Sequence, residues 1–362
     1  MGECGVAKRP GRMFLSILLV LLLGGQVIAG ANRLSLENVV ELALKESIDY
    51  RIAELEWEQA QLAYKKALAD NLLTQSAYNH RVAELSLMKG EASYKKALAS
   101  ATITAVRRFS DVELANLDLR IKELQLQQST KAEELTLRKA AAQNASELDV
   151  LEAKVALAKS QFDFERAKDN LAEKRQAFNI LVGSDEHLPD GELYFAPFDL
   201  QLSDILIQVM ESSPNIQEAQ DNVELAKLDL ERLLLDETAE LVVKDARNKL
   251  ALAELRLEQV QGTITQELLA AYNGAHNAQR SYEASNNAHE LQRRQYGVIE
   301  GQVAAGLKTE DDLTKARIAL WETERSVYEA LSNYIIACLQ VDEVSGADVQ
   351  MSLKALVKGT NG

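Results

Sequence analysis

Apolar residues return every three or four positions along most of this chain. From Leu148 they run Leu148, Leu151, Val155, Ala158 and Phe162, then, after a shift of phase, Phe164, Ala167, Leu171, Phe178 and Leu181. A second run, Leu250, Ala253, Leu257, Val260, Ile264, Leu268, Ala271, Ala275, Ala278 and Tyr282, passes from large to small side chains. This spacing is that of a packed helical seam, the phase shift relaxes supercoil, and seam alanines let helix axes approach closely. Four breaks divide the pattern: Gly90, Gln143-Asn144, a linker from Gly183 through Pro197, and Ala305-Gly306-Leu307. Everything between them is predicted helix. About 50 residues separate Gly90 from Gln143, one helix of roughly 75–80 Å. The returning helix, Ala145 to Val182, spans about half to two-thirds of that length. A first helix from Ser35 to about Asn71, stacked in line with it, supplies the rest. Ser35 and Ser203 are the predicted starts of the first helices, with Glu37, Glu41 or Asp204 in the opening turn, where carboxylates complement the helix dipole.

The pattern is written twice. Leu34-Ser35-Leu36-Glu37-Asn38-Val39-Val40 returns as Leu200-Gln201-Leu202-Ser203-Asp204-Ile205-Leu206, an offset of 166 residues. Asp149-Val150-Leu151 returns as Asp312-Leu313-Thr314, and Leu181-Val182-Gly183 as Val344-Ser345-Gly346, at an offset of 163. A duplication of this period, held in step, predicts two copies of one supersecondary unit that pack together and carry equivalent sites. The expected organisation is residues 1–31 as a signal peptide, 32–183 as the first helical repeat, 184–198 as a linker, 199–346 as the second repeat and 347–362 as a C-terminal tail.

Composition supports extended helices over globular cores: 362 residues rich in Ala, Leu, Glu, Lys and Gln, with four prolines and 5% aromatics. The formal charge is −15, and without residues 1–31, whose net charge is +2, it is −17. Such a surface excludes nucleic acid as a partner, because that affinity rests on cationic neutralisation of phosphates. Lys8, Arg9 and Arg12 precede the apolar run Phe14–Leu23, and Ala29-Gly30-Ala31 offers small residues for a peptidase, the pattern of an export signal cleaved after Ala31. An uncleaved anchor is the alternative, since Met13 to Ile28 approaches the lower limit of about 17 residues for a spanning helix. With Cys4 in the signal, Cys338 stands alone and reads as a small apolar core residue.

Little here carries chemistry. His80, His187, His276 and His289 show no ligand spacing, Ser and His lack partners for nucleophilic catalysis, and no glycine-rich phosphate loop exists. No enzyme, cofactor or metal site is expected.

The segment Tyr296-Gly297-Val298-Ile299-Glu300-Gly301-Gln302-Val303-Ala304-Ala305-Gly306-Leu307-Lys308-Thr309-Glu310-Asp311-Asp312-Leu313, running on through Ala316, Leu320 and Glu324 to Leu339, resembles the second hairpin of the TolC-like outer-membrane efflux family. Ala142 through Ala153, running on to Leu181-Val182-Gly183, resembles the first hairpin. With the openings at Leu34 and Leu200 the resemblance covers nearly all of the chain after residue 31. It implies a trimer forming a hollow α-helical cylinder, the exit duct of a tripartite export system that docks on a periplasmic adaptor and an inner-membrane pump. The family's tips meet the adaptor, a role that falls here to Gln143, Asn144 and Ala145 and to Ala305, Gly306 and Leu307. The tip glycine is present as Gly306 and replaced by Gln143 in the first half, where adjacent Asn144 can supply left-handed geometry. The family's acidic tunnel constriction maps to Asp312 and its duplicate Asp149, while a further acidic position is Lys315. Each residue also has a plainer reading. Gly306 is a common helix terminator, and Asp149 and Asp312 sit where first-turn carboxylates are favoured.

One departure is large. The family carries two membrane strands in each half, and a lipid-facing strand needs about 9–11 residues of alternating pattern. The first half offers Asn71 to Gly90 without such alternation, and Leu230 through Lys244 keeps its helical pattern nearly unbroken. The two copies Ala63-Tyr64-Lys65-Lys66-Ala67-Leu68-Ala69 and Ser93-Tyr94-Lys95-Lys96-Ala97-Leu98-Ala99 flank the first insert, and both read as helix. The expected fold is therefore all-α, with duplicated long antiparallel helical hairpins forming a coiled coil or α-barrel protomer and no membrane β-barrel strands. Two functions fit: a barrel-less conduit or dock of an export system in the cell envelope, periplasmic or outer-membrane associated, or an extracytoplasmic coiled-coil scaffold that conducts nothing.

Overall fold

The computed structural model describes residues 32–74, 77–184, 187–190, 193–235 and 239–358. The segment read as a signal, 1–31, lies outside them. Strand β1 (Asn32–Leu34) leads into α1 (Leu36–Glu46) and α2 (Ile48–Thr74), followed by the long α3 (Ala77–Ala141) and the returning α4 (Glu147–Val182). After β2 (His187–Pro189) the same order recurs: α5 (Leu202–Ser212), α6 (Pro214–Leu235), α7 (Glu240–Ala304) and α8 (Glu310–Ser345). α9 (Val349–Lys358) closes the described chain. α3 and α7 have 65 residues each, α4 and α8 have 36 each, and α1 and α5 have 11 each. The chain is an all-α fold of long antiparallel hairpins, with one two-stranded parallel pairing, β1 on β2, among the described residues.

Long runs of good helix formers explain the unbroken helices, and the breaks have local causes. Gly183 and Gly346 end α4 and α8 with φ of +69° and +71°, a conformation glycine adopts without steric cost. The linker Ser184–Phe198, which contributes β2, lays Phe195 against the rings of Tyr282 (4.7 Å) and Tyr334 (5.2 Å), and the Tyr334 hydroxyl donates to the Ala196 carbonyl at 2.6 Å.

Several sequence expectations are corrected. Gly90 lies inside α3 and does not break it. A Cβ there would fall 2.8 Å from that of Ala60 and 3.2 Å from the Trp57 ring, so this glycine serves the close approach of α2 and α3. α3 therefore has 65 residues and reaches about 97 Å. The single first helix is two. Ser47, in extended conformation, ends α1, and its hydroxyl accepts the Tyr50 N–H at the start of α2. In the second half Ser213 makes the same break and Pro214 takes the first helical position. Ser35 does cap α1, accepting from the Asn38 N–H, but Ser203 caps nothing: Gln201 precedes α5 and makes no side-chain cap bond. Leu34 belongs to β1, and the expected tail contains α9, whose Val349 and Leu353 are buried.

α2 and α4 lie in line along α3, with α1 across their joint, where the Glu46 side chain packs on Gly183. α4 packs on α3, α3 on α8 and α8 on α7; toward the other end the row is α2, α3, α6, α7. The core sits where α1, α5 and α9 wrap this row, around Val106, Phe109 and Val112 of α3, Phe178 of α4, and Tyr334, Ile335 and Leu339 of α8. Full burial of such a side chain contributes about 1.5–3 kcal/mol. Cys338 lies in this core, as its sequence context implies, and burial pushes its thiol up to about 11.

Two residues, 75 and 76, separate α2 from α3, and four separate α6 from α7. Neither interval has room for a membrane-spanning strand of about 9–11 residues. Among the described residues no helix is long and apolar enough to cross a membrane.

Candidate functional site: the hairpin tips and the helix edges

Both hairpin tips are built by the same backbone bonds. At the end of α3 the Gln143 N–H bonds to the Ala140 carbonyl (2.9 Å) and the Asn144 N–H to the Lys139 carbonyl (2.8 Å). At the end of α7 the Gly306 N–H bonds to Val303 (2.9 Å) and the Leu307 N–H to Gln302 (2.8 Å). These are Schellman closures, which require a left-handed residue just past the helix. In the first tip that residue is Gln143 itself, at φ +59°, rather than Asn144. Gly306 has φ +71°, and a Cβ there would meet open space. Gln143, Asn144, Ala305, Gly306 and Leu307 are exposed and Ala145 is half-buried.

The returning helices start with matching capping boxes. The Ser146 N–H and hydroxyl donate to Asp149 Oδ2 (2.7 and 2.8 Å), while the Asp149 N–H donates to Ser146 Oγ (3.1 Å). Thr309 and Asp312 repeat the arrangement at 3.0, 2.8 and 3.2 Å. Hydrogen bonds from the cap backbone and hydroxyl hold both carboxyls below the ordinary carboxylate range. Asp149 and Asp312 thus order the tips, and in each box the bonds run to one carboxylate oxygen, Oδ2. The motif Ser-x-x-Asp or Thr-x-x-Asp was the available signal for this. Lys315 is bonded to Asp311 at 2.7 Å, and the Lys315 and Gln128 side chains together hold the Asp311 carboxyl low.

The two tips are not level. Asp311, near the start of α8, accepts from Gln128 of α3 at 2.8 Å, and α3 continues thirteen residues past Gln128 to Ala141. At the opposite end Arg81, near the start of α3, bonds to Asp221 of α6 at 2.7 Å, and α6 continues fourteen residues past Asp221 to Leu235. Both junctions give the same sense of displacement. The second hairpin is shifted along the first by roughly 10–15 Å, so the Gln143 tip projects beyond the Gly306 tip.

Sequence periodicity assigned one stripe of α4 to the wrong contact. Phe164, Ala167, Leu171 and Phe178 do face inward, but Leu148, Leu151, Val155 and Phe162, on nearly the opposite face, are 58–65% exposed. The phase shift at Phe162 is therefore a change of face. α2 presents a similar row, Ile48, Ile52, Leu55 and Leu62, on the same edge. At the other edge α7 exposes Leu241, Leu252, Leu255, Leu269, Leu291 and Val298, while its seam from Leu250 to Tyr282 is buried or half-buried as the pattern predicts. Among the described residues no group of three metal-ligating side chains exists.

No family model matches this sequence, and no curated protein matches it. Solved structures do. The Campylobacter jejuni CmeC outer membrane channel is 14% identical, with a TM-score of 0.57 over 89% of each chain. CusC, described in terms of transmembrane channel formation, is 13% identical, with a TM-score of 0.56 over 87% of this chain and 96% of its own. The outer membrane protein VceC of Vibrio cholerae is 13% identical, with a TM-score of 0.56 over 86% and 96%. The architecture is that of helical-hairpin channel proteins. More narrowly, the chain has the fold of the TolC-like outer-membrane channels, built here without room for barrel strands beside its long helices.

Proposed function

We propose that this chain is an exported, non-enzymatic component of a tripartite export system, working as a helical conduit or dock in the cell envelope. On this reading residues 1–31 direct export, residues 32–183 and 199–346 are two copies of one unit, and the chains assemble as a homo-oligomer, a trimer by resemblance. The edge formed by α2 and α4 of one copy packs on α7 of the next. The two apolar edges carry this reading, because leucine-class side chains at three-four spacing on unpaired helices are stabilised by a partner helix at the same spacing. Docking of a periplasmic adaptor, itself engaged with an inner-membrane pump, falls to Gln143, Asn144, Ala145, Ala305, Gly306 and Leu307. Asp149 and Asp312 narrow the tunnel entrance with the carboxylate oxygens their caps leave over.

Size-exclusion with light scattering on residues 32–362 is the first test, and a persistent monomer at micromolar concentration would sink the conduit. Dye accumulation in a deletion strain then tests transport. Unchanged accumulation with altered envelope integrity would favour the other reading, an extracytoplasmic coiled-coil scaffold. Gly306→Pro removes a tip N–H and cannot adopt positive φ. It should abolish adaptor cross-linking at that tip with little loss of helical circular dichroism.

A further inference from the structure

α6 sits between α3 and α7 in the row, at neither edge, so covering the edges leaves one flank of α6 open. Along that flank α6 and α7 enclose a furrow of about 480 Å³. Buried Val223 and half-buried Leu257 make its floor, and Leu228, 54% exposed, stands on its rim. Leu235, seven residues on and so on the same face of the helix, is 83% exposed. Glu224 and Glu231, again seven apart, run beside these leucines. Neither carboxylate has an ion-pair partner among the described residues, whereas Glu218 and Asp221 of the same helix are bonded to Lys89 and Arg81 of α3, each at 2.7 Å. Lys227 is the only cation among the described residues that line the furrow, which is therefore acidic. The first half of the chain lacks this arrangement. Counted from the matching breaks at Ser47 and Ser213, α2 has Trp57, Lys65 and Ala69 where α6 has Val223, Glu231 and Leu235, and Trp57 lies over Gly90 of α3.

We infer that the α6–α7 furrow is a docking surface for a basic amphipathic helix of another protein, whose apolar residues at heptad spacing pack on Leu228, Leu235 and Leu257 and whose lysines or arginines pair with Glu224 and Glu231. An open apolar strip at this spacing is stabilised by a helix laid along it, and the charges that flank such a seam choose the partner. Two unpaired carboxylates beside the strip favour a cationic helix and penalise an acidic one, because like charges brought together there lose water without gaining a partner. This chain, at a formal charge of −15, is itself a poor occupant. The furrow lies in the part of the row away from the hairpin tips, so its occupant does not compete with a protein bound at the tips. Nothing in the arrangement requires that the chain form a conduit.

Fluorescence anisotropy with a labelled synthetic helix tests this on the full chain. The helix has about three heptads, with leucine at a and d and lysine at e and g, and its control carries glutamate at e and g. The lysine helix should bind about tenfold or more tightly than the glutamate helix, and its binding should slow hydrogen exchange of the α6 amides near 220–231. Glu224→Lys with Glu231→Lys should weaken binding about tenfold or more. Glu56→Lys with Glu58→Lys, at exposed acids of α2, makes the same change in net charge and should leave binding intact. Equal affinity for the two helices would overturn the proposal. An equal loss with the two lysine pairs would also overturn it, since attraction would then belong to the acidic surface as a whole. Slowed exchange in the wild-type chain that falls outside α6 and the α7 segment around Leu257 would do the same even if a variant fails to fold.

Discussion

Gln143 is held at φ +59° by two backbone bonds, in a conformation that costs a residue with a Cβ about 1–2 kcal/mol. Its duplicate is a glycine, which avoids that cost. Gln143→Gly should therefore stabilise the first tip by about 1 kcal/mol, read as slower exchange of the Gln143 and Asn144 amides. Unchanged exchange would mean that the strain is absorbed elsewhere. Gly90 obeys the opposite logic, since its helical φ needs no glycine but its contact with Ala60 and Trp57 does. Gly90→Ala should lower stability by about 1–3 kcal/mol by forcing α2 away, measurable as a lower thermal midpoint. The tip breaks were legible because Gly306 and Asn144 are residue types found at helix ends and polar caps follow a fixed spacing, although the first closure itself falls on Gln143. Gly90 was misread because a glycine demanded by packing and one demanded by φ look alike in a sequence.

At the scale of elements, periodicity gave helix type and length better than it gave facing. α4 carries two apolar stripes, and nothing in their spacing says which one meets α3. Leu151→Glu combined with Phe162→Glu should leave the circular dichroism of the isolated chain nearly unchanged and reduce its light-scattering mass to that of a monomer. A monomeric wild type would remove the premise. α9 gives a second test. It packs over Asp342, whose buried carboxyl is pushed up to about 6 by desolvation, with the Ser352 hydroxyl opposing. Because the folded value lies above the unfolded one, this group's contribution is fully present below about pH 4 and is lost as pH rises through about 6. Asp342→Asn should therefore flatten the pH dependence of α9 protection between those values. The existence of α9 was missed because ten residues offer too few turns for the period to stand out from a tail.

For the whole molecule, the stagger of the hairpins is the property to test. Cysteines at 128 and 311 should be joined within one chain by a short bifunctional thiol cross-linker that spans about 10 Å, and cysteines at 141 and 310, about 20 Å apart along α3, should not. The reverse result would place the tips level. Projection of the Gln143 tip makes the two tips inequivalent, although their backbone bonds are the same. The apolar edges likewise gain meaning only at this scale, since each is a seam without a partner inside one chain.

Much of this protein was settled by its sequence: long helices, their recurring order, the tip breaks, the absence of room for barrel strands and the acidic surface. Those are local or periodic properties, fixed by backbone conformation and by composition. Which apolar stripe is buried, where the hairpins register against each other and which carboxyls are withdrawn from water were decided only by tertiary packing. A helix of 65 residues offers several equivalent seams to its neighbours. Contacts between residues nearly two hundred positions apart, such as Gln128 with Asp311, choose among them.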